Sequence, residues 1–178
     1  MRISIRIICA LVLVSNCACD HFYAKKEISD MVSINIGRKI RFPSSLHPLN
    51  GSMSKVCTAE NTGNMKLVVY TDGDCGACIV ELAKWNDFIK INEALFNNVE
   101  LNFIVYSDNF PFFEYNIEKT DISLPFIYDS TNQFIVENKL YETLLQTLLL
   151  DSDNSIVLIG SPIDHQAMQE LYRKVLSE

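Results

Sequence analysis

The chain has 178 residues, of which 48% are hydrophobic and 21% charged, and its formal net charge is −7. This length suffices for one domain with a core of its own, and the composition excludes a disordered chain. Binding to phosphates needs clustered Lys and Arg, so the acidic balance, with no basic stripe, indicates that the protein has no nucleic-acid partner.

The first residues predict an export signal. Arg2 and Arg6 precede an apolar run at residues 7–14, which is too short to span a bilayer. We therefore expect a signal peptide at residues 1–18. Export implies a compartment in which pairs of cysteines can form disulfides.

Two cysteines directly after the apolar run indicate how the mature chain is anchored. The order of Arg, apolar run and Cys resembles a bacterial lipoprotein signal, in which the new N-terminal cysteine carries the lipid. Cys19 is favoured over Cys17, because Ala18 precedes Cys19 whereas Asn16 precedes Cys17. The expected product is a membrane-anchored lipoprotein that faces the periplasm. An ordinary secreted protein is the alternative.

Residues 19–64 are expected to form a tether and an N-terminal strand and loop extension. Residues 20–30 are polar, and apolar residues partly alternate between Met31 and Phe42, which predicts an edge strand or a hairpin. Residues 43–64 are rich in Ser, Pro, Gly and Asn and indicate a loop. The main domain is therefore expected at residues 65–178.

Strands and helices alternate from residue 65 onwards. Apolar runs predict three strands, at residues 66–70, 101–106 and 124–128. A helix is predicted to begin at Cys75, and a short helix at 112–119, whereas 131–141 carries mixed helix signals. Four residues of the first helix share one face by their spacing: Cys78, Leu82, Trp85 and Ile89.

The last part of the chain predicts a hairpin and a helix. Two apolar runs, 144–150 and 156–159, flank the turn Asp151-Ser152-Asp153-Asn154. Asp164 is expected to cap the final helix, whose inward-facing residues are expected to be Met168, Leu171 and Val175. Strands that alternate with helices and end in a hairpin predict an α/β fold with a mixed sheet.

The segment Cys75-Gly76-Ala77-Cys78 carries the chemistry. It follows the turn Thr71-Asp72-Gly73-Asp74, in which Asp74 can cap the helix. Two cysteines three residues apart at a helix start lie within bonding reach, and free backbone N–H groups and the helix dipole there favour a thiolate on the first. A thiolate attacks disulfides, and a second cysteine resolves the mixed disulfide. The motif therefore predicts a redox disulfide, Cys75–Cys78, with Cys75 attacking and Cys78 resolving.

Two other interpretations of the cysteine pair stay open. A zinc site needs four ligands, and only Cys57 and His47 could complete the set, so we expect no metal. A structural disulfide closing so short a loop would restrain the unfolded chain little. A peroxidase is disfavoured, because no histidine forms a convincing triad with Cys75.

The run Val68-Val69-Tyr70 leading into the cysteine pair, together with the hairpin at 148–157, resembles the TlpA-like thioredoxins. This resemblance covers about residues 66–176. It implies a thioredoxin-like fold: a central mixed sheet flanked by helices, an inserted strand–helix unit at 124–141, and a closing hairpin plus C-terminal helix. It implies an exported thiol-disulfide oxidoreductase that needs no cofactor. Its partners would be protein thiols and disulfides and a membrane electron donor or thioredoxin-type protein.

The resemblance also suggests a third catalytic residue. Glu81 lies three residues after Cys78, where relatives often place a glutamate that handles protons for the buried cysteine. Positions i and i+3 are neighbours on a helix, so this role is geometrically feasible. The alternative is a solvated acid that pairs with Lys84.

The substrate groove departs from the family. The family's cis-proline falls at Leu145, or at Gln146 if the register shifts by one, and Pro125 is a less favoured candidate. A cis bond at a non-proline residue costs about 2.5–4 kcal/mol, so we expect a trans bond and an altered groove. The groove is expected to contain Gly76, Ala77, Leu145 and Gln146. A binding module with little catalysis is the alternative function.

The charges around the motif predict a reductant. Asp72 and Asp74 directly precede Cys75, and Glu81 follows one turn later. Negative charges close to a sulfur disfavour its ionised form, whereas a strong oxidant needs a very stable thiolate.

Overall fold

A computed structural model describes residues 25–48 and 65–177. These residues fall into two compact units that divide between Ile36 and Gly37. In the first unit, residues 25–35 form helix α1. The strand predicted from Met31 is therefore wrong over this stretch. The side chains of Ser33 and Asn35 donate hydrogen bonds to carbonyl groups three and four residues earlier, which fits the helical period.

The second unit begins before residue 65. Strand β1, His47–Pro48, lies at the edge of the sheet, where a proline without an N–H donor is tolerated. Lys39 makes an isolated antiparallel bridge to Ser155, so residues 37–48 contribute to the same unit as the predicted main domain. Residues 37–48 of the expected extension thus form a loop and a short edge strand.

Among the described residues, six strands form one mixed sheet in the order β1-β4-β3-β2-β5-β6. The remaining strands are β2 (Met65–Asp72), β3 (Val99–Tyr106), β4 (Phe126–Tyr128), β5 (Thr147–Asp151) and β6 (Ile156–Ile159). Strands β2, β3 and β4 run parallel, whereas β1, β5 and β6 pair antiparallel with their neighbours. The three predicted central strands and the closing hairpin are confirmed.

Helices cover both faces of the sheet. They are α2 (Gly76–Ile91), α3 (Glu93–Phe96), α4 (Phe110–Glu118), α5 (Gln133–Asn138), a 3-10 turn (Thr143–Gln146) and α6 (Gln166–Leu176). Within the described part of the chain, no helix has the length and apolar character that crossing a membrane requires.

One face of the sheet carries the main core. Leu82 and Trp85 of α2 are buried there, as predicted, against Phe103 of β3, Phe113 of α4 and Tyr172 of α6. The rings of Trp85 and Phe103 meet edge to face, with centroids 5.9 Å apart. This packing fixes α2, and therefore its first turn, on the end of the central strand.

The opposite face is covered by α5 and by residues 37–48. The α5 residue Phe134 packs against the ring of Phe42, 5.8 Å away. Asn138 joins the two segments, since its Nδ2 donates to the Arg41 carbonyl and its Oδ1 accepts from the Arg41 N–H. Arg38 donates in turn to the Asn138 carbonyl.

Two expectations about the last helix are wrong. The N-cap of α6 is His165, and Asp164 forms an ion pair with Lys84 instead of capping the helix. Leu171 is 45% exposed, and the fully buried residue of α6 is Tyr172, whose hydroxyl donates to the Gly160 carbonyl. A tyrosine with a hydroxyl partner can be buried as readily as a leucine.

Candidate active site

The site lies at the carboxyl end of β2, the central strand. A close turn follows this strand, because the Gly73 N–H donates to the Tyr106 carbonyl at 2.7 Å. A Cβ atom at Gly73 would lie 2.9 Å from the Val105 side chain and 3.1 Å from that of Phe113. Glycine is therefore required for the backbone to approach β3 and α4 so closely.

Asp74 ties this turn to the loop after β3. Its carboxylate accepts hydrogen bonds from the Ser107 hydroxyl and the Asp108 N–H, both at 2.7 Å. The Ser107 hydrogen bond, followed by the backbone one, lowers the pKa of Asp74 below its usual value. The prediction that Asp74 caps α2 is wrong, because its carboxylate is held by the neighbouring loop.

Cys75 itself caps helix α2. It has extended backbone angles, and its Sγ accepts a hydrogen bond from the Cys78 N–H at 3.3 Å. Both cysteines are partly exposed thiols in this structure. The sulfur predicted to attack thus sits among the unpaired N–H groups of the helix start, where negative charge is favoured.

The two thiols differ in acidity. The pKa of Cys75 is lowered, first by the hydrogen bond from the Cys78 thiol and then by backbone N–H groups, while Asp72 opposes the shift. Burial, followed by the hydrogen bond to Cys75, raises the pKa of Cys78 to about 11. At neutral pH, Cys75 is therefore the sulfur more ready to ionise, and Cys78 keeps its proton.

A cavity of about 50 Å³ lies beside Cys78. Strand β5 runs antiparallel to β2 with Thr147 opposite Val69, so the residues before β5 lie next to the start of α2. The lining residues come from these elements: Val69, Tyr70, Thr71, Cys78, Glu81, Leu82, Trp85, Thr143, Gln146 and Thr147. The structure thus brings Gln146, Glu81 and Cys78 to one cavity.

The two positions considered for the family's proline differ. Gln146 is partly exposed and lines the cavity, whereas Leu145 is 4% exposed and belongs to the core. The Leu145 N–H donates to the Glu142 carbonyl at 2.8 Å. All peptide bonds among the described residues are trans, including those at Leu145, Gln146 and Pro125.

Glu81 is exposed and borders two larger grooves, of about 410 and 370 Å³. One contains Leu144, Ile159 and Met168, and the other contains Ala77 and Lys84, with His165 lining both. Lys84 is held by Asp164, so the expected alternative of a direct Glu81–Lys84 ion pair is not formed. Gly76 is exposed at the head of α2, with open space around its α-carbon.

Among the described residues, no group of three or more His, Cys, Asp or Glu side chains is placed to hold a metal ion. The predictions for Cys17, Cys19 and Cys57 lie outside the described residues.

Sequence reasoning missed several residues of the site. Thr143 and Thr147 line the cavity beside Cys78 because of the register in which β5 pairs with β2. No local sequence pattern predicts that register. His165 is exposed and lines both grooves beside Glu81, and no motif of the sequence marks it. The cap was misassigned by one residue, because both carboxylate and sulfur can accept the bond from the third N–H of a helix.

Comparison with solved structures decides the fold. A domain described as a possible thiol-disulfide isomerase from Cytophaga hutchinsonii has a TM-score of 0.54 at 18% identity, over 80% of this chain and 95% of that one. A protein described as the thiol:disulfide interchange protein DsbE from Chlorobium tepidum has a TM-score of 0.53 at 13% identity, over 66% and 84% of the two chains. The chain has a thioredoxin-like fold.

A third thioredoxin-like structure is StoA from Bacillus subtilis, with a TM-score of 0.50 at 18% identity, over 67% of this chain and 86% of that one. No protein-family model matches the chain, and no curated protein matches its sequence. The identities are low, so the likeness establishes the architecture and leaves the chemistry to the residues of the site.

Proposed function

We propose that this thioredoxin-like protein is a thiol-disulfide oxidoreductase that reduces disulfides of exported proteins. The observation that carries the proposal is the asymmetry of the cysteine pair at the head of α2. Cys75 caps the helix with its sulfur and has a lowered pKa, whereas Cys78 lies one turn inside with a raised pKa. Disulfide exchange requires this difference, because one sulfur attacks as a thiolate and the other later resolves the mixed disulfide.

The reaction needs no cofactor. The Cys75 thiolate attacks one sulfur of the substrate disulfide, forms a mixed disulfide and releases the first substrate thiolate, which takes up a proton. Cys78 then loses its proton and attacks the Cys75 sulfur, which forms the Cys75–Cys78 disulfide and releases the second substrate thiol. Two electrons pass from the protein to the substrate, and an electron donor must restore the dithiol.

Glu81 is proposed to handle the proton of Cys78. Both residues line the same cavity. The Glu81 carboxylate is exposed and forms no ion pair with Lys84, because Lys84 pairs with Asp164. A thiol whose pKa is about 11 needs an acceptor for its proton before it can attack at neutral pH. Gly76, Ala77 and Gln146 are proposed to contact the substrate beside the cysteines.

Turnover of a disulfide-bonded protein substrate tests the proposal. Cys75→Ser is expected to abolish reduction, while Cys57→Ser, which also removes one thiol, is expected to leave the rate unchanged. Cys78→Ser is expected to accumulate the mixed disulfide with the substrate, seen by mass spectrometry. Reduction that persists in Cys75→Ser would refute the assignment.

A binding module is the second candidate. It is favoured by the absence of proline at Leu145 and Gln146, where the family packs its cis-proline against the disulfide. Peptide binding that survives the loss of both cysteines, together with negligible turnover in the wild type, would establish it. Turnover that depends on Cys75 would exclude it.

The proposed location is the periplasmic side of a membrane, with a lipid on Cys19 or, failing that, on Cys17. The order of Arg, apolar run and Cys at residues 1–19 supports it. The proposed partners are substrate protein disulfides and a membrane electron donor or a thioredoxin-type protein. Mass spectrometry of the mature N-terminus tests the anchor, and a mature chain that starts at an unmodified residue would refute it.

A further inference from the structure

The indole of Trp85 presents a buried donor that the proposed chemistry leaves unused. Trp85 is completely buried and lines the cavity beside Cys78. No described residue accepts a hydrogen bond from its Nε1. Buried N–H groups are paired in the great majority of proteins, with protein atoms or with ordered water. Trp85 lines the cavity, so water in the cavity is a candidate partner for this indole.

The cavity can supply such a partner. Its volume of about 50 Å³ exceeds the roughly 10–15 Å³ that a single water needs. A buried water also needs two to four polar partners. The cavity wall offers hydroxyl groups from Thr71 and Thr147 and a carboxylate from Glu81, in addition to the indole N–H.

We propose that the cavity binds water held by Trp85 Nε1, and that Trp85 is thereby a positioning residue for the proton of Cys78. Cys78 and Trp85 lie two turns apart on α2, about 10 Å along its axis, with Glu81 between them. The Cys78 thiol transfers its proton to this water, and the water transfers one of its own protons to the Glu81 carboxylate. The Cys78 thiolate so formed attacks Cys75 in the mixed disulfide. The role of this water in catalysis rests on the proposed function, in which Cys78 resolves the mixed disulfide.

Other titratable groups surround the path. Cys75 and Asp72 face Cys78 from the helix start and from the end of β2. Cys75 and the charge of Asp72 disfavour the Cys78 thiolate, whereas a backbone hydrogen bond from Asp72 favours it. Tyr70 lines the cavity, and its pKa is raised, chiefly by burial, so its hydroxyl stays protonated. His165 and Lys84 lie along the grooves that Glu81 borders. Among these groups, the Glu81 carboxylate is the acceptor that shares the cavity with Cys78.

Hydration of the cavity can be observed directly, because Trp85 is the only tryptophan of the sequence. The indole N–H of the full chain, reduced and labelled with ¹⁵N, gives one unambiguous resonance. We expect cross-relaxation between the indole proton and a bound water molecule. The water should stay bound long enough for this signal to be distinguished from hydrogen exchange with the solvent. An indole proton without such contact to water would overturn the proposal, whatever the protein's activity.

The effect on Cys78 is measured in Trp85→Phe, which removes the Nε1 donor and keeps an aromatic ring. Without the ordered water the thiolate loses solvation, so we expect Cys78 to be alkylated about threefold to tenfold more slowly, the net scale of one ordinary hydrogen bond. The matched control is Phe88→Leu, since Phe88 meets the ring of Trp85 edge to face but does not line the cavity. We expect it to leave the alkylation rate unchanged.

Thr147→Val is a second variant, which removes a hydroxyl from the cavity wall and keeps the side-chain shape. It is expected to slow Cys78 alkylation in the same direction as Trp85→Phe. Unchanged Cys78 rates in both folded variants would overturn the positioning role. Neither the water contact nor the alkylation rate requires turnover, so a failure of the proposed oxidoreductase activity would be seen separately, in the substrate assay.

Discussion

Two cysteines one helical turn apart acquire opposite chemistry from their surroundings. Cys75 accepts hydrogen bonds that favour its thiolate, whereas Cys78 donates its proton into a partly buried site. The same pair of residues on an exposed loop would titrate together near their common reference value. The helix start therefore gives two identical side chains different acidities.

This difference predicts the order of alkylation in the reduced protein. Below pH 9, iodoacetamide should modify Cys75 first, because its lowered pKa supplies thiolate in that range. Cys78 should become reactive only as the pH approaches its pKa of about 11. The sign follows from the shifts, since a raised pKa keeps the thiol protonated to higher pH. Peptide mapping after timed quenching measures both rates.

Preferential modification of Cys78 at neutral pH would reverse the two roles. Cys78→Ala serves as the matched variant. It removes the first cause of the lowered Cys75 pKa, the hydrogen bond from the Cys78 thiol, and should therefore move the reactivity of Cys75 to higher pH.

At the scale of the element, two glycines with different constraints lie where β2 leads into α2: Gly73 in the turn and Gly76 at the first position of the helix. A Cβ at Gly73 would lie 2.9 Å from the Val105 side chain, whereas a Cβ at Gly76 meets nothing within 4 Å. We expect Gly73→Ala to lower the free energy of unfolding by about 1–3 kcal/mol through overpacking. Gly76→Ala should stay within about 0.5 kcal/mol of wild type. Urea denaturation measures both, and equal losses would contradict the geometry.

The segment before β5 predicts the effect of introducing proline. Gln146→Pro should change substrate turnover and leave the protein folded, because Gln146 lines the cavity at the surface end of the segment. Leu145→Pro should lower the free energy of unfolding by about 2–5 kcal/mol, because it removes a buried side chain and the N–H bond to the Glu142 carbonyl. Thermal unfolding and turnover of both variants check this. Unchanged turnover in folded Gln146→Pro would place the groove elsewhere.

The elements were predictable where side-chain periodicity was strong. The spacing of Leu82, Trp85 and Ile89 correctly predicted which face of α2 packs on the core. The apolar runs predicted the central strands in the same way. Helix α1 was mistaken for a strand, because a short apolar run fits both periods. The contact of Gln146 with the cysteine site depends on strand register, which is set by tertiary pairing and leaves no local signature.

For the whole molecule, we expect the charges near Cys75 to influence the direction of electron flow. Asp72 opposes the Cys75 thiolate, whereas Asp74 is turned towards Ser107 and Asp108. We expect a potential nearer to that of thioredoxin, roughly −270 mV, than to the roughly −120 mV of a strong oxidant. Equilibration with a glutathione couple measures it, and a value above about −180 mV would contradict a reductant.

The variant Asp72→Asn refines this expectation. Removal of the opposing charge stabilises the thiolate and hence the reduced form, so the potential should rise. Asp74→Asn is the matched control, since its carboxylate faces the loop after β3, and its potential should stay close to that of the wild type. A larger rise in Asp74→Asn than in Asp72→Asn would mean that the wrong carboxylate has been chosen.

The hydrogen bonds of Asn138 have a consequence for the order in which the chain folds. They join Arg41 to a residue 97 positions later, so this contact closes a very long loop and cannot help to nucleate folding. Whether the chain emerges from a ribosome or across a membrane, residues 37–48 come before α5, which is their partner. The face of the sheet that these two segments cover is therefore completed late in folding.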